Sequence, residues 1–135
     1  MKIAIRYYTR SGNTEKLAKA IEEVVGVEAK TTDYKLDSDV DILFLGSSVY
    51  AYGVDNSVKK FIHNIDVKVG KVVNFSTAAL INSTYKQVSK LLEEKNIPMA
   101  KEEFYCRGSF GLVHQGRPNE KDLENVKQFA KKIIS

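Results

Sequence analysis

Short runs of strand-forming apolar residues alternate with amphipathic helical segments along the whole chain. The strand-like runs are Lys2–Tyr8, Val27–Thr32, Asp41–Ser47, Lys71–Ser76 and Met99–Cys106. The segments with apolar residues at helical spacing are Asn13–Val25, Asn56–Ile65, Ser83–Lys95 and Asn119–Ile134. This alternation predicts βαβ units, and therefore a parallel sheet with helices on both of its faces.

The chain length of 135 residues is that of one such domain, so we predict a single domain over residues 1–135. Cys106 is the only cysteine, which excludes an intramolecular disulfide framework and a CxxC-type metal site. No secretory leader follows Met1, and the longest uncharged stretch, Ile42–Val54, is too short and polar to span a bilayer. We therefore predict a cytoplasmic protein without a membrane span, present as a monomer or weak dimer.

The formal net charge is +4, and it is concentrated in the second half of the chain. A basic balance can indicate nucleic-acid binding. In this chain the basic residues alternate with glutamates on the predicted helices, as between Lys86 and Lys95. We interpret them as solvated helix faces, and we do not expect a nucleic-acid partner.

In an open parallel sheet, ligands bind beyond the carboxyl ends of the strands, where the strand order reverses. The first connection there, Thr9–Thr14, has three hydroxyl side chains, one glycine and one asparagine at a helix start. Main-chain N–H groups at such a start bind anions, and a glycine allows close approach, so the segment suits a phosphate. The alternative is an ordinary helix start capped by Ser11 or Asn13.

Two further connections leave the same edge of the predicted sheet. Residues 46–53 place Tyr50 and Tyr52 among small residues, where a tyrosine ring could stack on a planar ligand or simply cover the sheet. The connection from Ser76 to Leu80 is small and polar, and by itself it indicates little.

Together these segments resemble the flavodoxin family. Thr9-Arg10-Ser11-Gly12-Asn13-Thr14 is similar to the phosphate loop of that family, and the segment from Gly46 to Ala51 is similar to a loop of its short members. The region around Phe104–Phe110 and Gly116–Pro118 fits the same subgroup. The resemblance covers essentially the whole chain.

The resemblance implies a flavodoxin-like three-layer α/β sandwich with strand order 2-1-3-4-5, binding FMN non-covalently. Tyr50 would stack on the ring, with Tyr52 as the second choice. The residues implied to bind the cofactor are Thr9, Arg10, Ser11, Gly12, Asn13, Thr14, Ser48, Val49, Tyr50, Ala51, Tyr52, Gly53, Ser76, Thr77, Ala78 and Ala79. No residue is assigned a catalytic or metal-binding role.

The sequence departs from the family pattern at three points. Arg10 puts a cation into the phosphate loop, where it could pair with the phosphate or point into solvent. The segment from Ser76 to Leu80 lacks the aromatic residue that many flavodoxins use as a second stacking face. The chain is basic, whereas typical electron-carrier flavodoxins are strongly acidic, so their partners cannot be transferred to it.

The remaining reactive side chains have simpler interpretations. Cys106 is predicted to be a buried small hydrophobe, and His63 a surface residue. His114 follows the fifth strand and could approach the flavin. The acidic run from Asp37 to Asp41 precedes a strand, which indicates a solvated connector rather than a phosphorylation site.

The leading functional hypothesis is an FMN protein that passes electrons between redox partner proteins. The alternative is an FMN-dependent oxidoreductase acting on a quinone, a porphyrinogen or a similar flat substrate. A third hypothesis is a flavin-free interaction module, whose binding to nucleic acid would depend steeply on salt.

Overall fold

The computed structural model describes residues 1–49, 54–78, 83–108 and 116–135 of the chain. The strands are β1 (Ile3–Tyr7), β2 (Ala29–Thr31), β3 (Val40–Val49), β4 (Val69–Ala78) and β5 (Met99–Arg107). The helices are α1 (Asn13–Val25), α2 (Asn56–His63), α3 (Tyr85–Glu94) and α4 (Glu120–Ile134). Every predicted strand and helix is present.

The strands form one sheet of order β2-β1-β3-β4-β5. All four neighbouring pairs are parallel, with Ile5 opposite Phe44 in the pair β1–β3 and Phe44 opposite Val73 in the pair β3–β4. The order implied by the resemblance is therefore confirmed. It reverses between β1 and β3, and this switch point is where ligands bind in open α/β sheets.

Two hydrophobic clusters bury the two faces of the sheet. On one face, β1 contributes Ile5 and Tyr7, which pack with Leu17 and Ile21 of α1 and with Val126 of α4. The opposite face joins side chains of β3 and β4 to the buried sides of α2 and α3, including Leu43, Leu45, Val72, Val58 and Leu92. Apolar side chains on consecutive positions of β3 are thus buried on both faces, as expected for a central parallel strand.

The structure corrects the predicted ends of the two central strands. The sequence predicts that β3 ends at Ser47 and β4 at Ser76, but the strands continue to Val49 and Ala78. The reason is their mutual register, which pairs Ser48 with Thr77 and Val49 with Ala78. Polar residues that were predicted to lie in loops therefore belong to the sheet.

The four helices all begin near the end of the sheet at which the carboxyl ends of the strands lie. We call this end the carboxyl edge. For example, Thr14 at the start of α1 contacts Thr77 near the end of β4, and Thr84 before α3 contacts Ser47 of β3. Strand ends and helix starts therefore lie together at this edge. In open parallel sheets, ligand sites are found at this edge. Within the described part of the chain, no helix is long and apolar enough to cross a membrane.

Candidate functional site

The carboxyl edge of the sheet carries an unusual density of buried polar side chains. Thr14, Ser47 and Ser76 are fully buried, and Asn13, Ser48 and Thr77 are nearly so. Buried hydroxyl and amide groups are costly unless they are hydrogen-bonded. The Oγ atom of Ser48 has no hydrogen-bond partner among the described residues, so this edge offers a polar group to a ligand.

The start of α1 is built differently from the starts of α2 and α4. Its N-cap is Gly12, which has φ 90° in the left-handed region and provides no side-chain cap. By contrast, Asp55 caps α2 and Asn119 caps α4 through their side chains, while α3, like α1, has no side-chain cap. The alternative with Ser11 or Asn13 as N-cap is therefore wrong, because the chain needs left-handed backbone at the intervening glycine. The first N–H groups of α1 are left without a side-chain cap.

The loop before α1 is held by two contacts to its flanks. The Gly12 N–H donates to Thr9 Oγ1 at 2.9 Å, which closes the turn. In the first turn of α1, Glu15 accepts a hydrogen bond from the Tyr7 hydroxyl at 2.8 Å. Burial and this bond to Glu15 raise the pKa of Tyr7 to about 12, so the tyrosine remains a donor at neutral pH. The turn is thereby tied to β1.

The same loop packs closely against the ends of β4 and β5. Thr14 Oγ1 lies 3.0 Å from Thr77 Oγ1, and both side chains are buried. A Cβ atom at Gly108 would lie 2.8 Å from Asn13 Nδ2 and 3.2 Å from Thr77 Cβ. A larger residue at this position would have to displace the Asn13 side chain, so glycine allows the end of β5 to lie close to the helix start.

The Arg10 side chain lies largely in solvent, one of the two sequence alternatives, and it also contacts the start of α2. Its guanidinium lies 3.9 Å from Asp55 Oδ2 and is 64% exposed. Asp55 also accepts the Ser57 N–H at 2.9 Å as the N-cap of α2. The pair therefore links the loop before α1 to the start of α2, across the switch point.

A second polar cluster, below the start of α3, was missed by the sequence prediction. Ser47 Oγ donates to Thr84 Oγ1 at 2.9 Å, and Asn74 Nδ2 donates to the same oxygen at 3.0 Å. Ser76 Oγ accepts the Thr84 N–H at 3.4 Å. The available signal was Asn74, a polar residue between Val73 and Phe75 in the middle of a central strand. This cluster fixes the start of α3 against the ends of β3 and β4.

The structure brings together most of the residues predicted for the site. Thr9–Thr14 lie at the start of α1, while Ser48, Ser76 and Thr77 lie at the neighbouring strand ends. Val49 and Ala78 are the last residues of β3 and β4. The other five predicted residues, and His114, lie outside the described residues: Tyr50, Ala51, Tyr52, Gly53 and Ala79.

Cys106 and His63 lie where the sequence predicts. Cys106 is 7% exposed, and burial, followed by the charge of Asp122, raises the pKa of its thiol to about 12. A thiol with that pKa is almost entirely protonated at neutral pH and therefore a poor nucleophile. His63 is exposed at the end of α2, far along the helix from the carboxyl edge.

An open parallel sheet with a polar helix start at its switch point is typical of α/β proteins that bind a ligand there. The sequence model of a protein family, described as the flavodoxin domain, matches residues 4–115 of this chain. The chain therefore belongs to the flavodoxin family, whose members bind flavin, typically FMN.

Individual relatives match this chain along nearly its whole length. A protein of Methanocaldococcus jannaschii without a known function is 31% identical over 150 residues, covering 99% of both chains. A flavodoxin of Clostridium saccharobutylicum is 30% identical, covering 100% of this chain and 96% of its own. The solved structure of a flavodoxin from the domain Archaea superposes with a TM-score of 0.80 at 20% identity, covering 98% of this chain and 96% of its own.

The residues at the carboxyl edge fit an FMN phosphate. The uncapped N-terminal turn of α1 supplies main-chain donors and the positive end of a helix dipole. The buried hydroxyls of Thr14 and Thr77 adjoin it, and the open space around Gly12 leaves room for an anion. The start of α1 is thus the candidate phosphate site.

Proposed function

We propose that this protein binds FMN non-covalently at the carboxyl edge of its sheet and transfers electrons between redox partner proteins in the cytoplasm. The observation that carries the proposal is the start of α1. There a left-handed Gly12, a buried Asn13 and a buried Thr14 replace the side-chain caps seen at α2 and α4. A helix start of this kind is suited to an anion, and a phosphate monoester is the anion of FMN.

In this proposal the loop Thr9–Thr14 holds the phosphate. Main-chain N–H groups of the loop and of the first turn of α1 donate to it, and the hydroxyls of Thr9, Ser11 and Thr14 provide further polar contacts. Thr9 also shapes the turn, because its Oγ1 accepts a hydrogen bond from the Gly12 N–H. Arg10 adds a positive charge beside the phosphate while it remains paired with Asp55.

The ring of the flavin would lie against the ends of β3 and β4. Ser48 and Thr77 are paired in register there, and both are nearly fully buried. The partnerless Oγ of Ser48 would provide a hydrogen-bonding group at the ring edge. We assign ring stacking to Tyr50, with Tyr52 as the second choice, as the family resemblance implies.

When bound, FMN supplies the redox chemistry, and the protein supplies binding, orientation and electrostatics. The residues of this chain therefore need to exclude water and fix polar groups around the ring. The described residues fit that role, because Ser48 and Thr77 are nearly fully buried polar residues at the strand ends against which the ring would lie. No described contact favours the alternative of an enzyme that acts on a quinone or a porphyrinogen.

The proposal predicts a carrier and not a turnover enzyme. We expect the FMN-loaded protein, after anaerobic reduction, to deliver its electrons stoichiometrically to a one-electron acceptor such as cytochrome c in stopped-flow mixing. With NADH or NADPH and a soluble quinone, steady-state turnover should stay well below the roughly 1 s⁻¹ at the lower end of typical enzymes. Sustained quinone reduction at enzyme-like rates would instead support the oxidoreductase.

A further inference from the structure

Each of the four helices carries one lysine in its first turn. These residues, which we call the lysine ring, are Lys16 in α1, Lys59 in α2, Lys86 in α3 and Lys121 in α4. All four side chains are exposed, and within the described part of the chain none of them forms an ion pair. Because the helices begin at the carboxyl edge and cover both faces of the sheet, the lysine ring lies at the same end of the molecule as the candidate site.

Helix stability does not explain these positions. The first turn of a helix is the positive end of its dipole, where acidic side chains are stabilising and basic ones are not. Yet the first turns of α2 and α3 contain no acidic residue, and each contains one lysine. The sequence therefore carries these charges against a local energetic preference.

The acidic groups at the same edge are largely engaged in other contacts. Glu15 accepts from Tyr7, Asp55 pairs with Arg10, and Asp122 pairs with Arg117. Glu120 is the remaining acidic residue in these first turns. Residues 50–53, 79–82 and 109–115, which lie outside the described residues, contain no Asp or Glu in their sequence. The four lysines, Arg10 and Arg117 outnumber these four carboxylates, and the positive ends of the helix dipoles act in the same direction.

We infer that the lysine ring is the docking surface for an acidic redox protein. This inference rests on the proposed function, because lysines at the same end of the molecule as the flavin site lie where a partner must approach to exchange electrons. Complementary charge at the rim of an interface speeds association and selects partners by charge, and salt weakens both effects. The partner is therefore a protein with negative charge around its own redox centre.

The test uses an acidic two-iron ferredoxin as the probe. We expect electron transfer from the reduced ferredoxin to the FMN-loaded protein to slow about tenfold as salt rises from about 20 mM to about 300 mM. With basic cytochrome c as acceptor, the rate should instead rise with salt. A ferredoxin rate that does not fall with salt would overturn the inference.

Reversing the charge of two lysines of the ring tests whether the docking surface lies there. The double variant K59E/K86E should lower the low-salt ferredoxin rate about tenfold and remove most of its salt dependence. The matched variant K68E/K101E makes the same change in net charge at exposed lysines away from the helix starts, and its rate should stay within about twofold of the original protein. Equal losses in both variants would overturn the inference, because net charge and not the ring would then be responsible.

Two measurements separate this inference from the proposed function. K59E/K86E should keep the melting temperature of the original protein or raise it slightly, because glutamate suits a helix start. Anisotropy of labelled ferredoxin with the flavin-free protein tests the ring even if FMN does not bind. Tighter, salt-dependent binding of a short DNA duplex than of ferredoxin would contradict the inference and favour a nucleic-acid partner.

Discussion

Replacing Gly12 with valine is expected to weaken FMN binding about 50-fold, the equivalent of one or two lost charge-assisted hydrogen bonds. Gly12 has φ 90°, and a β-branched residue in left-handed backbone is strained by about 1–2 kcal/mol. Relief of that strain changes the backbone at residue 12, whose N–H donates to Thr9 Oγ1 and shapes the turn. Main-chain donors would then point away from the phosphate.

Gly26→Val is the matched control for this substitution. Gly26 has φ 76° at the opposite end of α1, and a Cβ there, as at Gly12, would meet no atom within 4 Å. Both variants should therefore lose similar unfolding free energy in urea titrations, whereas only Gly12→Val should lose FMN affinity in fluorescence titrations. Equal FMN affinity in the two variants would contradict the phosphate site at this loop.

Replacing Asp122 with alanine should lower the free energy of unfolding by about 2–3 kcal/mol, because a buried charge pair and a helix cap are lost together. Asp122 accepts from Arg117 Nε at 2.6 Å and Nη2 at 2.8 Å, and it also accepts the Asn119 N–H at 2.8 Å. Its side chain is 9% exposed, against 34% for Arg117. The alanine variant leaves the guanidinium half-buried without its partner.

Asp66→Ala is the matched control for the stability effect. Asp66 pairs with Lys35 at 2.6 Å, but both side chains are more than half exposed. Exposed ion pairs contribute about 0–1 kcal/mol, so this variant should be nearly as stable as the original protein. Urea unfolding at neutral pH measures both values, and a loss in Asp66→Ala equal to that in Asp122→Ala would contradict the assignment.

The loss of unfolding free energy in Asp122→Ala should become smaller at acidic pH. Desolvation raises the pKa of this carboxyl, but hydrogen bonds from Arg117 and Asn119 and the positive charge of Arg117 outweigh it and leave the pKa lowered. A carboxyl whose folded pKa lies below its unfolded value of about 3.9 stabilises the protein above that pH. The difference between the original protein and Asp122→Ala should therefore stay constant above about pH 5 and shrink as the pH falls below about 4.

The fold was predictable because its signals are local. The helical spacing of Leu17 and Ile21 and the consecutive apolar residues Leu43, Phe44 and Leu45 each fit one kind of element. Alternation of such elements leaves few topologies other than a parallel sheet. The strand order needed more than this, and it came from the family resemblance.

The sequence predictions were wrong or incomplete where residues far apart in the chain determine the structure. The strands β3 and β4 extend to Val49 and Ala78 because they pair with each other, and a polar strand end resembles a loop in sequence. Arg10 and Asp55 are 45 positions apart, so no local pattern reveals their ion pair. The N-cap of α1 was ambiguous for another reason, since three residues suited to capping stand in a row.

The central claim is that the start of α1 binds the phosphate of FMN. It is tested most directly by titrating the flavin-free protein with FMN and with riboflavin, which has the same ring but no phosphate, and following flavin fluorescence. If the helix start binds the phosphate, FMN should bind about 100-fold more tightly than riboflavin, the equivalent of two charge-assisted hydrogen bonds. Equal affinity for the two flavins, or no binding of either, would contradict the account.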